Sequence, residues 1–471
     1  MRQAPLPDPA AAPSRAARRV VIVGGGLAGL TCALDLAQAG LHTTLIEKRP
    51  FMGGKTFSFL DPAAGVELDN GQHVYLRCCT AYIALIKRLG LQRDVRLQRR
   101  LRVPVRDPAT GATGAIASTP GPLPPPCNLA WSILRFPHLG WADKLRLGRA
   151  VLPLMRMSES ARRNLDDESF GHWLRRHGQS QTVIDRFWDL IVLPTCNDLS
   201  NDVSAAQAAY VFRVGLFTDA HGADIGVARI GLSHIAAAAR AHFEAAGGAS
   251  ILGKRVRRIV ARDDHPASVE GGGVELGGET IDADAVVLAL PPDQARALLP
   301  ADWRTRDGLN ALDAFTFSPI VNVHLRLDRP ILRDDFVAVL DPDLQYVFNR
   351  DRITGHRDPD GGQWLTVSLS AAHDAATRPQ ASIAESTIAA LRRAFPAAAD
   401  ASVTHWRVVK EQQATFRPSP GVATLRPGPC TGVEGLFLAG AWTDTQWPAT
   451  MESAVRSGHA AAAAAQRFLN D

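Results

Sequence analysis

The chain has 471 residues, 46% of them hydrophobic, and a formal charge of +5, enough to bury a large core and to build two structural domains. No apolar run reaches the roughly eighteen residues that span a bilayer, and no basic tract is dense enough for nucleic acid, so a membrane-spanning helix and a nucleic-acid partner are both excluded. The six cysteines show neither CxxC pairs nor zinc spacing, which predicts no disulfide, no metal and a reducing, cytoplasmic setting.

Residues 1–19, rich in Ala, Pro and Arg without an apolar segment, read as a disordered arm. Val20-Val-Ile-Val23 then reads as a buried parallel strand, followed by Gly24, Gly26 and Gly29 in a tight turn and a helix. Gly24 permits the turn and Gly26 lets the backbone approach a pyrophosphate. The amides of Leu27 and Ala28, with the helix dipole, stabilise that charge, and Gly29 brings the helix close to the strand. Thr43-Thr-Leu-Ile46 is the second strand, and Glu47 at its end is placed to accept hydrogen bonds from ribose hydroxyls. A 2'-phosphate would be repelled there, which disfavours NADP. A lone glycine motif also serves ordinary strand-to-helix turns; here strand, helix, second strand and acid all fall at the required spacings. A nicotinamide dehydrogenase would continue into another crossover helix and parallel strand, whereas Lys48-Arg-Pro-Phe-Met-Gly53-Gly54-Lys55-Thr56 runs into turns, which favours a flavin.

The nucleotide-binding part is expected at 20–77, 229–310 and 431–471. A helical insertion is expected at 78–228, broken by Pro120 to Pro126, and a sheet of alternating strands at 311–430, as in Ile320 to Leu327 and Trp364 to Leu369. A helix over Leu232 to Ala246 closes on Gly247-Gly248, strands follow at Val256 to Ala261 and Ala285 to Leu290, and a final strand, Leu436 to Ala439, precedes a helix from Met451.

The turn motif with Glu47, Gly53 and Gly54, the Gly247-Gly248 pair with Val256, and Leu438-Ala-Gly440 resemble the family of flavin amine oxidases and carotenoid desaturases. Asp69-Asn-Gly-Gln-His73 and Trp442 through Gly458 are similar to its hydroxysqualene dehydroxylase subgroup. The resemblance implies an α/β fold, a Rossmann-like FAD-binding domain interleaved with a substrate domain of helices and a mixed or antiparallel sheet. It implies FAD as cofactor, held by the turn, Glu47, Lys48, Gly53, Gly54, Lys55, Gly71, Gln72, the backbone of Val256, Gly440, Ala441 and the helix entry Pro448, Ala449, Thr450 and Met451. Two positions depart from the family pattern: Lys55 replaces an arginine, losing its bidentate fork, and Ala441 replaces an acid, for which Asp444 is placed to compensate.

Each of these segments also has a plainer reading. Asp69 to His73 has ordinary turn composition, Pro448 to Met451 is an ordinary helix entry, and Val256 is a buried strand residue. Asp198, His221 and Asp224 read as caps, turns or surface residues. Residues 131–157 interleave large apolar side chains with five basic ones, which fits a core-facing helix with a solvated basic side, or a helix resting on anionic lipid. The function implied is reductive dehydroxylation of a long apolar isoprenoid, hydroxysqualene, with His73 as proton donor, Tyr75 as the alternative donor and an unidentified electron donor. An isoprenoid desaturase and an amine oxidase are the rival readings. The segment from Gly440 to Gly458 has no cysteine for covalent flavin attachment.

Overall fold

The computed structural model describes residues 18–262, 265–272 and 280–470; most of the predicted arm lies outside them. Arg19, expected to end that arm, instead opens the first strand, Arg19–Val23, where it pairs with His42 and its amide donates to Asp284 at 2.6 Å. The correction is physical: a strand needs its edge amides bonded, and Asp284 supplies an acceptor there.

Five strands form one parallel sheet in the order Ala249–Leu252, His42–Glu47, Arg19–Val23, Ala285–Leu288, Leu436–Leu438. Val20, Ile22, Val286 and Val287 have no exposure at all, as expected of β-branched central strands covered on both faces. One face carries the helices Leu27–Gln38 and Met451–Asn470, which cross so closely that a Cβ on Gly458 would lie 2.4 Å from the Ala28 carbonyl oxygen. The other face carries an antiparallel layer, Arg255–Arg262, His265–Gly272 and Thr280–Asp282, over a core that includes Trp303.

A second sheet of seven strands runs Val403–Phe416, Phe317–Leu327, Gln363–Leu369, Tyr346–Asn349, Phe336–Val339, Arg102–Arg106, Thr113–Ala117. Its last two strands come from 78–228, the stretch read as helical. Val103 and Val105 alternate with Arg102 and Arg106, and Pro104 falls where the parallel partner, joined only through Val105 and Arg106, asks for no amide. The helices of the same stretch, Trp141–Arg156, Phe170–Arg176, Asp189–Cys196 and Ala205–Val211, close around a buried aromatic group of Phe170, Trp173, Trp188 and Phe212. A further three-stranded sheet, Val74–Leu76, Ile225–Ala228 and Val95–Leu97, joins this region to the nucleotide fold. No helix among the described residues is long and apolar enough to cross a membrane.

Candidate functional site

At the carboxyl end of the parallel sheet, Gly24 adopts φ +111° and its amide donates to the Ile46 carbonyl at 2.8 Å; a Cβ there would lie 2.3 Å from the Ala289 oxygen. A Cβ on Gly29 would lie 1.9 Å from the Gly24 oxygen. Gly26 caps the helix Leu27–Gln38 in extended conformation without a side-chain bond, so no side chain occupies the first amides, including those of Leu27 and Ala28. The Gly53-Gly54 turn lies across this loop: the Gly53 amide donates to the Gly25 oxygen at 2.8 Å, and a Cβ on Gly54 would sit 2.9 Å from the Gly26 Cα. Glu47, 8% exposed, accepts the Gly25 amide on Oε2 at 2.7 Å and the Arg49 amide on Oε1 at 2.9 Å. Each carboxylate oxygen retains a lone pair for a hydroxyl donor. A side-chain-free cradle, an uncapped helix N-terminus and a buried carboxylate together fit the adenosine diphosphate half of a dinucleotide.

Of the other predicted positions in this region, Lys48 is exposed and donates to Gln294 Oε1 at 2.9 Å. The Lys55 ammonium donates to the carbonyls of Gln413 and, at 3.2 Å, Ala414, and burial lowers its pKa against the opposing pull of Glu411 and Asp293. Two of its three donors are therefore committed to the strand Val403–Phe416. Val256 lies in the core with Val21, Val23 and Ile46, its backbone paired to Gly271.

The Asp69 to His73 segment is clamped between Lys55, Ser58 and the helix Leu232–Ala245 on one side and the seven-stranded sheet on the other. Asp69 accepts the Leu232 amide at 3.0 Å and the Ser58 hydroxyl at 2.7 Å, and Asn70 Nδ2 donates to the Lys55 oxygen at 2.8 Å. From the strand Phe317–Leu327, Asn322 Nδ2 donates to the Asn70 oxygen at 3.2 Å, and a Cβ on Gly71 would strike that nitrogen at 2.3 Å. His324 stands between Thr366 Oγ1 and the Asp69 carbonyl, both at 3.0 Å. His73 is half-buried, with Nδ1 2.9 Å from the Gly71 oxygen, and Gln72 Nε2 donates to the His73 oxygen at 3.3 Å. Tyr75 is buried, its ring 5.2 Å from that of Tyr82 and packed against Gly226.

Asn322 and His324 alternate with Val321, Val323 and Leu325, a pattern that reads as one wet face, yet they are only 3% and 1% exposed. The burial has a measurable consequence. Desolvation first, then the nearby Arg350 charge, hold His324 down to about 4. As pH falls through the ordinary histidine range the unfolded chain takes up a proton that the folded chain refuses until near 4, so stability is complete above that window and lost across it, by roughly 3 kcal/mol. Urea midpoints measured between pH 7.5 and 4.5 are expected to fall accordingly, with FAD fluorescence appearing as the cofactor leaves. In His324→Gln the slope over this window flattens; an equally steep slope would show that another group governs acid loss.

The third part of the site comes from the C-terminal segment. Gly440 has φ +153°, and its amide donates to Ser457 Oγ at 2.9 Å; a Cβ would lie 2.4 Å from Trp442 Nε1, itself bonded to the Leu290 oxygen at 2.9 Å. The Ala441 carbonyl accepts Ser453 Oγ at 2.9 Å. Asp444 is exposed and its carboxylate accepts the Gln446 amide at 3.0 Å. Arg426, buried and absent from the sequence-based candidates, fastens this loop: Nη2 donates to the Thr443 oxygen at 2.6 Å, and burial brings its pKa down to about 10. Thr450 Oγ1 accepts the Ser453 amide at 3.2 Å and donates to the Pro448 carbonyl at 3.2 Å, capping the helix Met451–Asn470; Ala449 and Met451 pack on the two flanking cores. Glu452, fully buried, accepts the Tyr82 amide at 2.7 Å and the Ala81 amide at 3.1 Å, capping the helix Thr80–Arg88, while Arg456 Nε balances its charge at 2.7 Å. Through Tyr82 this bond ties the helix entry at 448–451 to Tyr75. Trp447 stands edge-on to Tyr210 at 5.5 Å, a tyrosine the sequence did not mark out.

This architecture, a dinucleotide fold whose cradle is closed by early and late segments and joined to a large sheet, defines a flavin-dependent oxidoreductase. The chain belongs to the family of flavin-containing amine oxidoreductases, whose model matches residues 27–466, and its cofactor is FAD. It is 27% identical to the 15-cis-phytoene desaturase of Synechococcus elongatus over 93% of this chain and 94% of that one. It is also 27% identical to the hydroxysqualene dehydroxylase of Sinorhizobium fredii, over 94% and 97%. Among solved structures, the cyclohexylamine oxidase of Brevibacterium oxydans superposes with a TM-score of 0.71 over 97% of this chain and all of that one, at 18% identity.

Proposed function

We propose that this enzyme removes the hydroxyl group of a long allylic isoprenoid alcohol of the hydroxysqualene type, giving squalene for hopanoid synthesis. The observation that carries the reading is His73, a half-buried imidazole whose Nδ1 is fixed on the Gly71 carbonyl, on a loop clamped by Asn322 and His324. Nδ1–H bonded to that carbonyl leaves Nε2 as the atom that carries or releases a proton. Hydroxide leaves poorly, so protonating the alcohol oxygen as the C–O bond breaks is the step that needs such a group, and the allylic system spreads the developing positive charge. Bound FAD, reduced by an external two-electron donor, supplies the hydride that balances the departing water. Gly24 to Gly29 and Glu47 would hold its adenosine diphosphate half, and the segments at 71–72 and 440–451 its flavin half. Affinity for a C30 chain comes mainly from burying hydrocarbon, at about 25 cal/mol per Å².

A second reading, isoprenoid desaturation, is favoured by the equal similarity to the phytoene desaturase and by 28% identity to a probable zeta-carotene desaturase of the same Synechococcus strain. Incubating photoreduced anaerobic enzyme with hydroxysqualene, and oxidised enzyme with phytoene, separates the two. Flavin reoxidation coupled to squalene formation supports dehydroxylation. Bleaching by phytoene, with hydroxysqualene inert, rejects it in favour of desaturation.

A further inference from the structure

Eleven large hydrophobic side chains are exposed among the described residues, and seven of them fall between residues 123 and 155: Leu123, Trp131, Leu134, Trp141, Leu145, Leu152 and Met155. Such clustering on a protein surface marks a docking face. Along the helix Trp141–Arg156 the residues Trp141, Leu145, Gly148, Leu152 and Met155 recur at alternating steps of four and three and form one exposed stripe, with Trp141 67% and Leu145 80% exposed. The helix is anchored by its opposite side, through buried Leu147, Ala150 and Leu154. It therefore has two apolar faces, and only one of them is needed by the core.

Charge decides what covers the other. Lys144 flanks the stripe on one side and Arg149 and Arg156 on the other, and Arg135 stands on the adjoining helix Ala130–Leu134 as its C-cap. The Arg135 guanidinium lies 4.1 Å over the ring of Trp131 and the Lys144 ammonium 4.8 Å over that of Trp141. Among the described residues none of these four cations is paired with a carboxylate, and the one acid of the helix, Asp143, faces Arg146 and Ser180. A second copy of the chain meeting this face about a two-fold axis would bring like charges together. An anionic bilayer instead accepts the apolar stripe below its headgroups, the tryptophans at the polar boundary and the cations among the phosphates. We infer that the exposed face of Ala130–Leu134 and Trp141–Arg156 docks on an anionic lipid surface. This rests on the surface alone and does not depend on which isoprenoid the enzyme uses.

Flotation of the FAD-loaded protein with liposomes tests it, using phosphatidylcholine alone and phosphatidylcholine with about a third phosphatidylglycerol. Binding at least tenfold stronger to the anionic vesicles, weakened by salt, is expected. The Trp131→Ser, Trp141→Ser, Leu145→Ser combination is expected to reduce it at least tenfold, and Arg135→Glu, Lys144→Glu, Arg149→Glu, Arg156→Glu to abolish the anionic preference. All these residues are outside the flavin cradle, so unchanged flavin content and melting temperature confirm that each variant is folded. The inference is overturned if the wild type floats with neither vesicle, if it binds both equally, if the triple variant floats as well as the wild type, or if sedimentation without lipid shows a dimer that this variant dissolves.

Discussion

Replacing Gly29 by alanine is expected to give a protein that purifies almost colourless and melts well below the wild type. The expectation sets two effects of opposite sign against each other. Gly29 lies in the helix Leu27–Gln38, where alanine is intrinsically better by about 1 kcal/mol, so propensity alone predicts stabilisation. The added Cβ, however, would sit 1.9 Å from the Gly24 carbonyl oxygen and 3.1 Å from the Ala289 Cβ, and the first of these is backbone that cannot swing aside. Overpacking of this kind costs about 3 kcal/mol or more, so the clash wins and pushes the helix away from the turn proposed to hold the cofactor. Gly148→Ala is the matching control: it too is helical, but open space surrounds the position, and its melting temperature should hold or rise slightly. The ratio of flavin to protein absorbance and the thermal midpoint together decide the matter. A yellow, equally stable Gly29→Ala enzyme would show that the helix does not need to lie against the strand.

His73→Ala is expected to lower turnover of hydroxysqualene by roughly 10²–10⁴-fold, the usual contribution of a positioned general acid, while flavin content stays unchanged. The separation is expected because, among the described residues, the His73 ring makes one hydrogen bond, to the neighbouring Gly71 carbonyl, whereas the loop is fixed by bonds to Asp69 and Asn70. Single-turnover reoxidation of the prereduced variant, compared with its absorbance at rest, reads the two properties independently. Full turnover in His73→Ala would remove this residue as proton donor and turn attention to Tyr75, whose phenol burial drives up in pKa.

Much of the nucleotide fold was legible in the sequence because its demands are local: a strand buried on both faces, a turn that excludes side chains, and an acid at the end of the next strand. The remainder depended on partners distant along the chain. Arg102–Arg106 and Thr113–Ala117 pair with each other as a hairpin, which joins the large sheet only through the edge of Phe336–Val339, and nothing near residue 102 announces that edge. The alternation of Asn322 and His324 with valines marks a strand but does not show that the segment at 69–71 covers them and bonds to their side chains. Glu452 was legible as a first-turn acid, while its service as cap to another helix, Thr80–Arg88, required knowing that the two helices meet. Arg426 offered no signal, since it stands in a stretch rich in proline and glycine between Val403–Phe416 and Leu436–Leu438, and its role shows only once its carbonyl partners at 442 and 443 are seen. The clamps around the predicted cradle therefore emerge only from the tertiary structure.

The central claim is that the Gly24 to Gly29 turn and Glu47 hold the adenosine diphosphate half of FAD. Titrating the apoprotein with FAD and with FMN, and following flavin fluorescence, tests it most directly, because FMN carries the same ring system without that half. One FAD bound per chain, with FMN at least a hundredfold weaker and the difference lost in Glu47→Ala, is the predicted result. FMN binding as tightly as FAD, or a folded chain that binds neither, would contradict it.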